Sequence, residues 1–335
     1  MRLVTFTAGL FGMALTVWLL SRFGFHAILG LVAQGGWGIV AAILFHAVQV
    51  LLAAASWRTI AGHDTPALPL RDWIALRCVR EGVNNLLPVA QVGGEVMSAR
   101  LLARRGAGLR RAAAATICDL TIELLSQVVF TLAGLGILLV LVKRSALTDE
   151  LVESAGVALL LGAVFLGSQC LGAISIVEGL LIRIAAHLGW SGVDGIRGLH
   201  AEILGLYKAP GRSLRAGTLQ LAGWALGAVE VCLILHFMGH DRSLASGFVI
   251  ESVGQAAKSA GFAVPGALGV SEGGFVIIGS LFGLPPAVSI GLSLIKRLRE
   301  IAWGLPSLAG WQWMETHWRP SHKGRLGHGV GLSGS

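Results

Sequence analysis

Two runs broken by proline and glycine interrupt a chain that otherwise reads as membrane-spanning helix. They are residues 84–95, Asn-Asn-Leu-Leu-Pro-Val-Ala-Gln-Val-Gly-Gly-Glu, and residues 262–272, Phe-Ala-Val-Pro-Gly-Ala-Leu-Gly-Val-Ser-Glu. Each carries a carboxylate seven residues after its proline, Glu95 after Pro88 and Glu272 after Pro265. Lipid offers no hydrogen-bond partner to the backbone groups that such a break frees. Inside a bilayer a break is therefore stable only where it is buried in protein or lines a wet cavity. That restriction makes the two runs the first place to look for function.

The surrounding composition fixes the class. Of 335 residues, 54% are hydrophobic and 13% charged, about half the charge that covers an ordinary soluble domain. Apolar runs at 3–20, 37–57, 112–142, 151–174, 216–238 and 286–313 approach or exceed the ~20 helical residues that cross a bilayer. The chain thus reads as an all-α polytopic membrane protein. The segments flanking the breaks, 72–87 with 95–105 and 248–263 with 272–282, are shorter and more polar, and they read as two re-entrant hairpins. Eight full spans, with every hairpin arm crossing, have the same parity and are the alternative.

The net charge of +8 comes from 26 Lys and Arg against 18 Asp and Glu, spread over short loops. This is the pattern of basic cytoplasmic loops rather than of a nucleic-acid-binding face. Arg100, Arg104, Arg105, Arg110 and Arg111 put the base of the first hairpin in the cytoplasm, and both termini fall on that side. Residues 177–215 read as an amphipathic helix on the cytoplasmic surface, and 315–335 as a disordered tail.

Sliding the chain on itself by 177 residues brings Pro88 onto Pro265, Ala90 onto Ala267, Glu95 onto Glu272, Gly106 onto Gly283 and Glu123 onto Glu300. Asp119 falls on Lys296. Each half, 1–142 and 143–314, then reads as span, span, hairpin, span. Three full spans separate equivalent points, so the halves are inverted, a 3+3 arrangement used by alternating-access carriers. The opposite signs at Asp119 and Lys296 predict a salt bridge between the halves.

Helix ends and free N–H groups at the breaks suit an anion. The first break offers Asn84, Asn85, Pro88, Gln91, Gly93 and Gly94, the second Pro265 and Ser271. Arg77, Arg80, Arg100, Lys258, Lys296, Arg297 and Arg299 are candidate cation partners; Glu81, Glu95, Asp119, Glu123, Glu272 and Glu300 are candidate holders of those cations. Ionisable groups at membrane depth face a partner or a cavity. Two uses stay open: ion pairs that fix the hairpins, or substrate binding and gating. His46 and Gln49, at i and i+3, read as a helix–helix hydrogen bond, with a substrate contact as the alternative. No HExxH, GxSxG or Walker-type loop occurs, and the four cysteines form no CxxC, so neither an enzyme nor a cofactor or metal is expected.

The motif residues also resemble a known family. Asn-Leu-Leu-Pro-x4-Gly-Gly-Glu at 85–95, Val-Pro-Gly-Ala-Leu-Gly-Val-Ser-Glu-Gly-Gly at 264–274 and Ser-Leu-x-Lys-Arg-x-Arg-Glu at 293–300 are similar to the flippase-like membrane domain of lysylphosphatidylglycerol synthases and their stand-alone relatives. The wording Leu-Leu-Pro-Val-Ala-Gln-Val-Gly-Gly-Glu resembles the hopanoid biosynthesis-associated HpnL type. The resemblance covers about residues 1–315. It implies lipid translocation across the bacterial inner membrane, with membrane lipids, a hopanoid or an anionic phospholipid, as substrate and other hopanoid-pathway membrane proteins as partners. The soluble aminoacyl-transfer domain of the bifunctional synthases has no counterpart here, so lysyl transfer is not implied. Two further readings remain: an assembly partner of lipid-modifying enzymes, and an intramembrane lipid-modifying enzyme.

Overall fold

The computed structural model describes residues 25–62, 68–87, 93–141, 167, 198–260 and 270–318. The expected spans at 3–20 and 151–174, most of the amphipathic segment, and the two hairpin tips with Pro88, Gln91 and Pro265 lie outside the described residues. Among those described, every regular element is helical.

Helix α1 (Phe25–Ala61) bends at Gly36. It is followed by α2 (Leu70–Leu86) and α3 (Gly93–Leu102), the arms of the first break, then a π-helical turn (Ala103–Ala107) and α4 (Leu109–Leu141). After α5 (Leu199–Tyr207) come α6 (Pro210–Phe237), the second pair of arms α7 (Leu244–Ala260) and α8 (Val270–Leu281), and α9 (Pro286–His317). Among the described residues, three stretches are long and apolar enough to cross a membrane: Gly35–Ala61, Leu109–Leu141 and Pro210–Phe237. At 1.5 Å per residue the 17 residues of α2 reach about 25 Å and the 10 of α3 about 15 Å, short of a ~30 Å hydrocarbon core. α9 has 32 residues, with Lys296 and Arg299 buried within it.

The turn glycines that the 177-residue shift aligns share a conformation: Gly106 has φ 101° and Gly283 φ 67°. Both precede a long helix, at positions where a Cβ would strain the left-handed backbone.

Two sequence boundaries move. The described end of the 177–215 segment is not one surface helix. α5 is separate, with Ile203 and Leu206 buried, and Arg212 and Arg215 belong to the first turns of α6. Pro210 stands at the first positions of that helix, where its missing N–H costs nothing. At the other end, α9 continues through Glu315 to His317, because Arg100 and Arg104 both hold the Glu315 carboxylate.

Side-chain contacts show α1 antiparallel to α6: Gly38 meets Phe237, while Gly223 lies against Gln49 and Leu52. The arm α2 packs on α9 and the arm α7 on α4. A Cβ on Gly82 would stand 2.8 Å from Ser307 Cβ and 3.1 Å from the Gly304 carbonyl oxygen. Gly82→Leu is expected to push these helices apart at an overpacking cost of about 1–3 kcal/mol, read as a lower thermal unfolding midpoint in detergent. One apolar core, with Trp57, Trp73, Leu76, Leu101 and Trp311, seats the first hairpin. A second, with Ile39, Val231, Ile250, Ile278 and Leu292, seats the second.

Candidate functional site: a charged cleft between the hairpin arms

On α2, Arg77, Arg80, Glu81 and Asn84 recur at helical spacing and share one face. That face meets α4, where Asp119 and Glu123 lie one turn apart. Arg77 donates Nη1–H and Nη2–H to the two Glu123 oxygens at 2.9 and 2.7 Å, and Nε–H to Glu81 Oε1 at 2.8 Å. Arg80 reaches three acids: Nε to Glu95 Oε1 at 3.0 Å, Nη1 to Asp119 Oδ2 at 2.6 Å, and Nη2 to Glu123 Oε2 at 2.9 Å. Only a planar guanidinium presents its donors in a fork that fits this arrangement.

Asn84 closes the first hairpin. Its amide donates to both Glu95 oxygens at 3.1 and 3.2 Å, and its carbonyl accepts the Gly94 N–H at 2.8 Å. A side chain on Gly94 would collide with the Arg80 carbonyl oxygen and with Asn84. The Gly93-Gly94-Glu95 run thus lets the returning helix sit directly on the entering one.

The second hairpin builds a different set. Lys258 Nζ donates to Glu300 at 2.5 Å, Lys296 Nζ to Glu251 at 2.5 Å, and Arg297 Nη2 to Glu272 at 3.2 Å. Gln255 supports Glu251 at 2.9 Å. Ser271, Lys296 and Arg297 line a small crevice with Lys258 and Glu300.

The expected bridge between Asp119 and Lys296 is not formed. Asp119 belongs to Arg80, with Arg77 at 3.9 Å, and Lys296 belongs to Glu251. Each is taken by the entering arm from its own half of the sequence, Asp119 by α2 and Lys296 by α7. The halves are instead joined by a polar relay. Glu81 Oε2 lies 3.1 Å from His46 Nε2, and His46 Nδ1 lies 3.3 Å from Gln49 Oε1. Gln49 Nε2 donates to Glu230 at 2.6 Å, and Glu230 accepts from Arg299 Nη1 at 2.6 and 2.7 Å. His46 also meets Trp303 edge-on at 5.8 Å.

Between these groups lies a cleft of about 270 Å³. The first hairpin lines it with Arg77, Arg80, Glu81, Asn84, Asn85 and Glu95, and α4 adds Glu123 and Gln127. His46 and Gln49 close it from α1, Gln220 and Trp224 from α6, and Gln255, Lys258 and Arg299 from the second half of the chain. Its size is near the lower end of small-molecule sites and suits a polar headgroup. Of the residues marked from sequence, Asp119 lies behind the wall, with none of its surface exposed. Lys296, Arg297, Glu272 and Glu300 stand beside the crevice under the second hairpin. Arg100 is apart from the cluster, tied to Glu315. Glu230, Glu251, Gln255 and Trp224 are not among the candidates read from sequence, and His46 and Gln49 are read there first as a helix–helix hydrogen bond. The polar pair in the 37–57 run and the single acid in the 216–238 run are the available signals for His46, Gln49 and Glu230.

The model of the family described as the lysylphosphatidylglycerol synthase TM region matches residues 5–310. The chain belongs to this family. Every residue of the cleft falls within the matched stretch, and membership gives the protein a membrane lipid-related function. No curated protein and no solved structure matches the chain significantly. As a member of the lysylphosphatidylglycerol synthase TM-region family, the chain turns its intramembrane charges toward one another and toward one cleft. This is how ionisable groups are accommodated in lipid.

Proposed function

We propose that this protein moves a lipid between the leaflets of the bacterial inner membrane, with the headgroup held in the cleft between the two hairpins and the tails in the bilayer. The observation that carries the reading is the convergence of both hairpin arms and four long helices on one polar cleft. Arg77, Arg80, Lys258 and Arg299 lie on its wall, so a headgroup with an acidic oxygen is the ligand its donors suit.

The inverted 3+3 repeat belongs to the same proposal. Gly82 touches Gly304, and Ser259 accepts from Gln127 Nε2 at 2.7 Å. Adding 177 to Gly82 gives Ser259, and adding 177 to Gln127 gives Gly304. Reciprocal contacts of this kind are what two copies related by an axis produce, and the matched positive-φ glycines support them. The basic base of the first hairpin, Arg100, Arg104, Arg105, Arg110 and Arg111, supports placing that face in the cytoplasm.

A hopanoid-linked substrate is the finer part of the proposal and rests on the wording of residues 86–95. The test is reconstitution into vesicles carrying a fluorescent lipid in one leaflet. The purified protein is expected to expose phosphatidylglycerol or a hopanoid-tagged probe to an outside quencher many-fold faster than empty vesicles. Equal rates for every lipid in the panel would sink the carrier reading and leave a role as an assembly partner.

A further inference from the structure

Among the described residues, the ion clusters at the two hairpins differ in charge balance. Around the second hairpin, Lys258, Lys296, Arg297 and Arg299 meet Glu300, Glu251, Glu272 and Glu230, four cations for four acids. Around the first, two guanidiniums, Arg77 and Arg80, face four carboxylates, Glu81, Glu95, Asp119 and Glu123. Protonated His46 beside Glu81 would still leave one carboxylate in excess. Lys258 and Arg299, the cations across the cleft, are engaged by Glu300 and Glu230.

An uncompensated carboxylate buried in a low-dielectric site takes up a proton, because the neutral acid costs far less to bury than the anion. Geometry selects which one. Both oxygens of Glu81, Glu95 and Glu123 accept hydrogen bonds or face His46. Asp119 is fully buried and engages through Oδ2 alone; its Oδ1 has no partner. The charged groups facing it are Arg80 and Arg77 from α2 and Glu123 from its own helix. From the other helices packed on α4, Glu95 of α3 reaches it only through Arg80, Glu202 of α5 holds Arg111, and Glu230 of α6 and Lys258 of α7 hold the partners named above. His46 of α1 holds Glu81.

We propose that Asp119 is a proton-binding site, and that its proton travels with an anionic headgroup through the cleft. The inference rests on the carrier reading for its second half only. A proton entering from the cleft passes Glu123, one turn along the same face and on the cleft wall, and forms an O–H bond on Asp119. The neutral acid then releases the charge-assisted bond from Arg80 Nη1. That donor is freed for a headgroup oxygen, so the proton and the anion stabilise one another's binding and cross as an electroneutral pair.

Two measurements test this. Infrared difference spectra of the purified protein between acidic and alkaline pH are expected to show a buried carboxylic-acid C=O band that disappears in Asp119→Asn and persists in Glu95→Gln. Should Asp119→Asn not fold, Asp119→Glu keeps the acid and must shift the band. Absence of the band in the unmodified protein, or its persistence unchanged in both Asp119 variants, overturns the proton site. In vesicles with a pH gradient, fluorescent phosphatidylglycerol is expected to accumulate in the leaflet facing the alkaline side, about tenfold per pH unit for one proton per lipid. Asp119→Asn should abolish that asymmetry. Lipid movement that ignores the gradient overturns the coupling while leaving the carrier reading intact. A band that behaves as stated in a protein that moves no lipid overturns the carrier reading and keeps the proton site.

Discussion

Arg80→Ala is expected to lower the stability of the detergent-solubilised protein by about 3–5 kcal/mol, the cost of stranding buried charge by removing its partner. Arg80 is 2% exposed, and its three donor nitrogens separately hold the returning helix α3 through Glu95 and the span α4 through Asp119 and Glu123. Its loss leaves the four carboxylates of the cluster with one remaining guanidinium, Arg77, and frees the hairpin from the span. Arg80→Lys should restore less than half of the loss, because a compact ammonium cannot satisfy three acids lying in three directions. The thermal unfolding midpoint of the two variants against the unmodified protein checks this. A midpoint for Arg80→Ala close to the original would show that the network carries little of the hairpin's anchorage.

The second large effect separates two pairings of Lys296. Exchanging Glu251 and Lys296 retains an ion pair at 2.5 Å in the original structure, with the charges reversed, so a folded, monodisperse protein is expected. Exchanging Asp119 and Lys296 instead places an ammonium against Arg80 and Arg77 and a carboxylate against Glu251. Two buried like-charge contacts, each costing several kcal/mol, approach the whole ~5–15 kcal/mol stability of a folded protein. The expected result is loss of folded protein, measured as monodisperse yield on size exclusion. Recovery of the Asp119–Lys296 exchange together with loss of the Glu251–Lys296 exchange would reverse the assignment.

The two helices flanking the first break could be read from the chain. An arm expected at 72–87 is found at Leu70–Leu86 and its return, expected from Glu95, begins at Gly93. Proline and glycine end helices through backbone sterics, which do not depend on tertiary contacts. The same holds for Gly106 and Gly283, aligned in sequence and both found with positive φ. The wall of the cleft was partly visible because charged side chains in apolar helices must face inward. Its polar uncharged members, Gln127, Gln220 and Gln255, gave no such signal, since a lone glutamine is tolerated on many helix faces.

By itself, then, the sequence determined the helical membrane class, the places where helix breaks and turns, and which helices carry charge, all consequences of local backbone chemistry and of solvation in lipid. Only the tertiary structure decided who pairs with whom. Asp119 and Lys296, aligned in sequence, do not meet, because each faces the entering arm from its own half of the chain. Partner choice depends on how each helix is rotated and at what depth it sits. The packing of Gly82 on Gly304 and of α1 on α6 sets both, through contacts between residues more than a hundred positions apart in the chain.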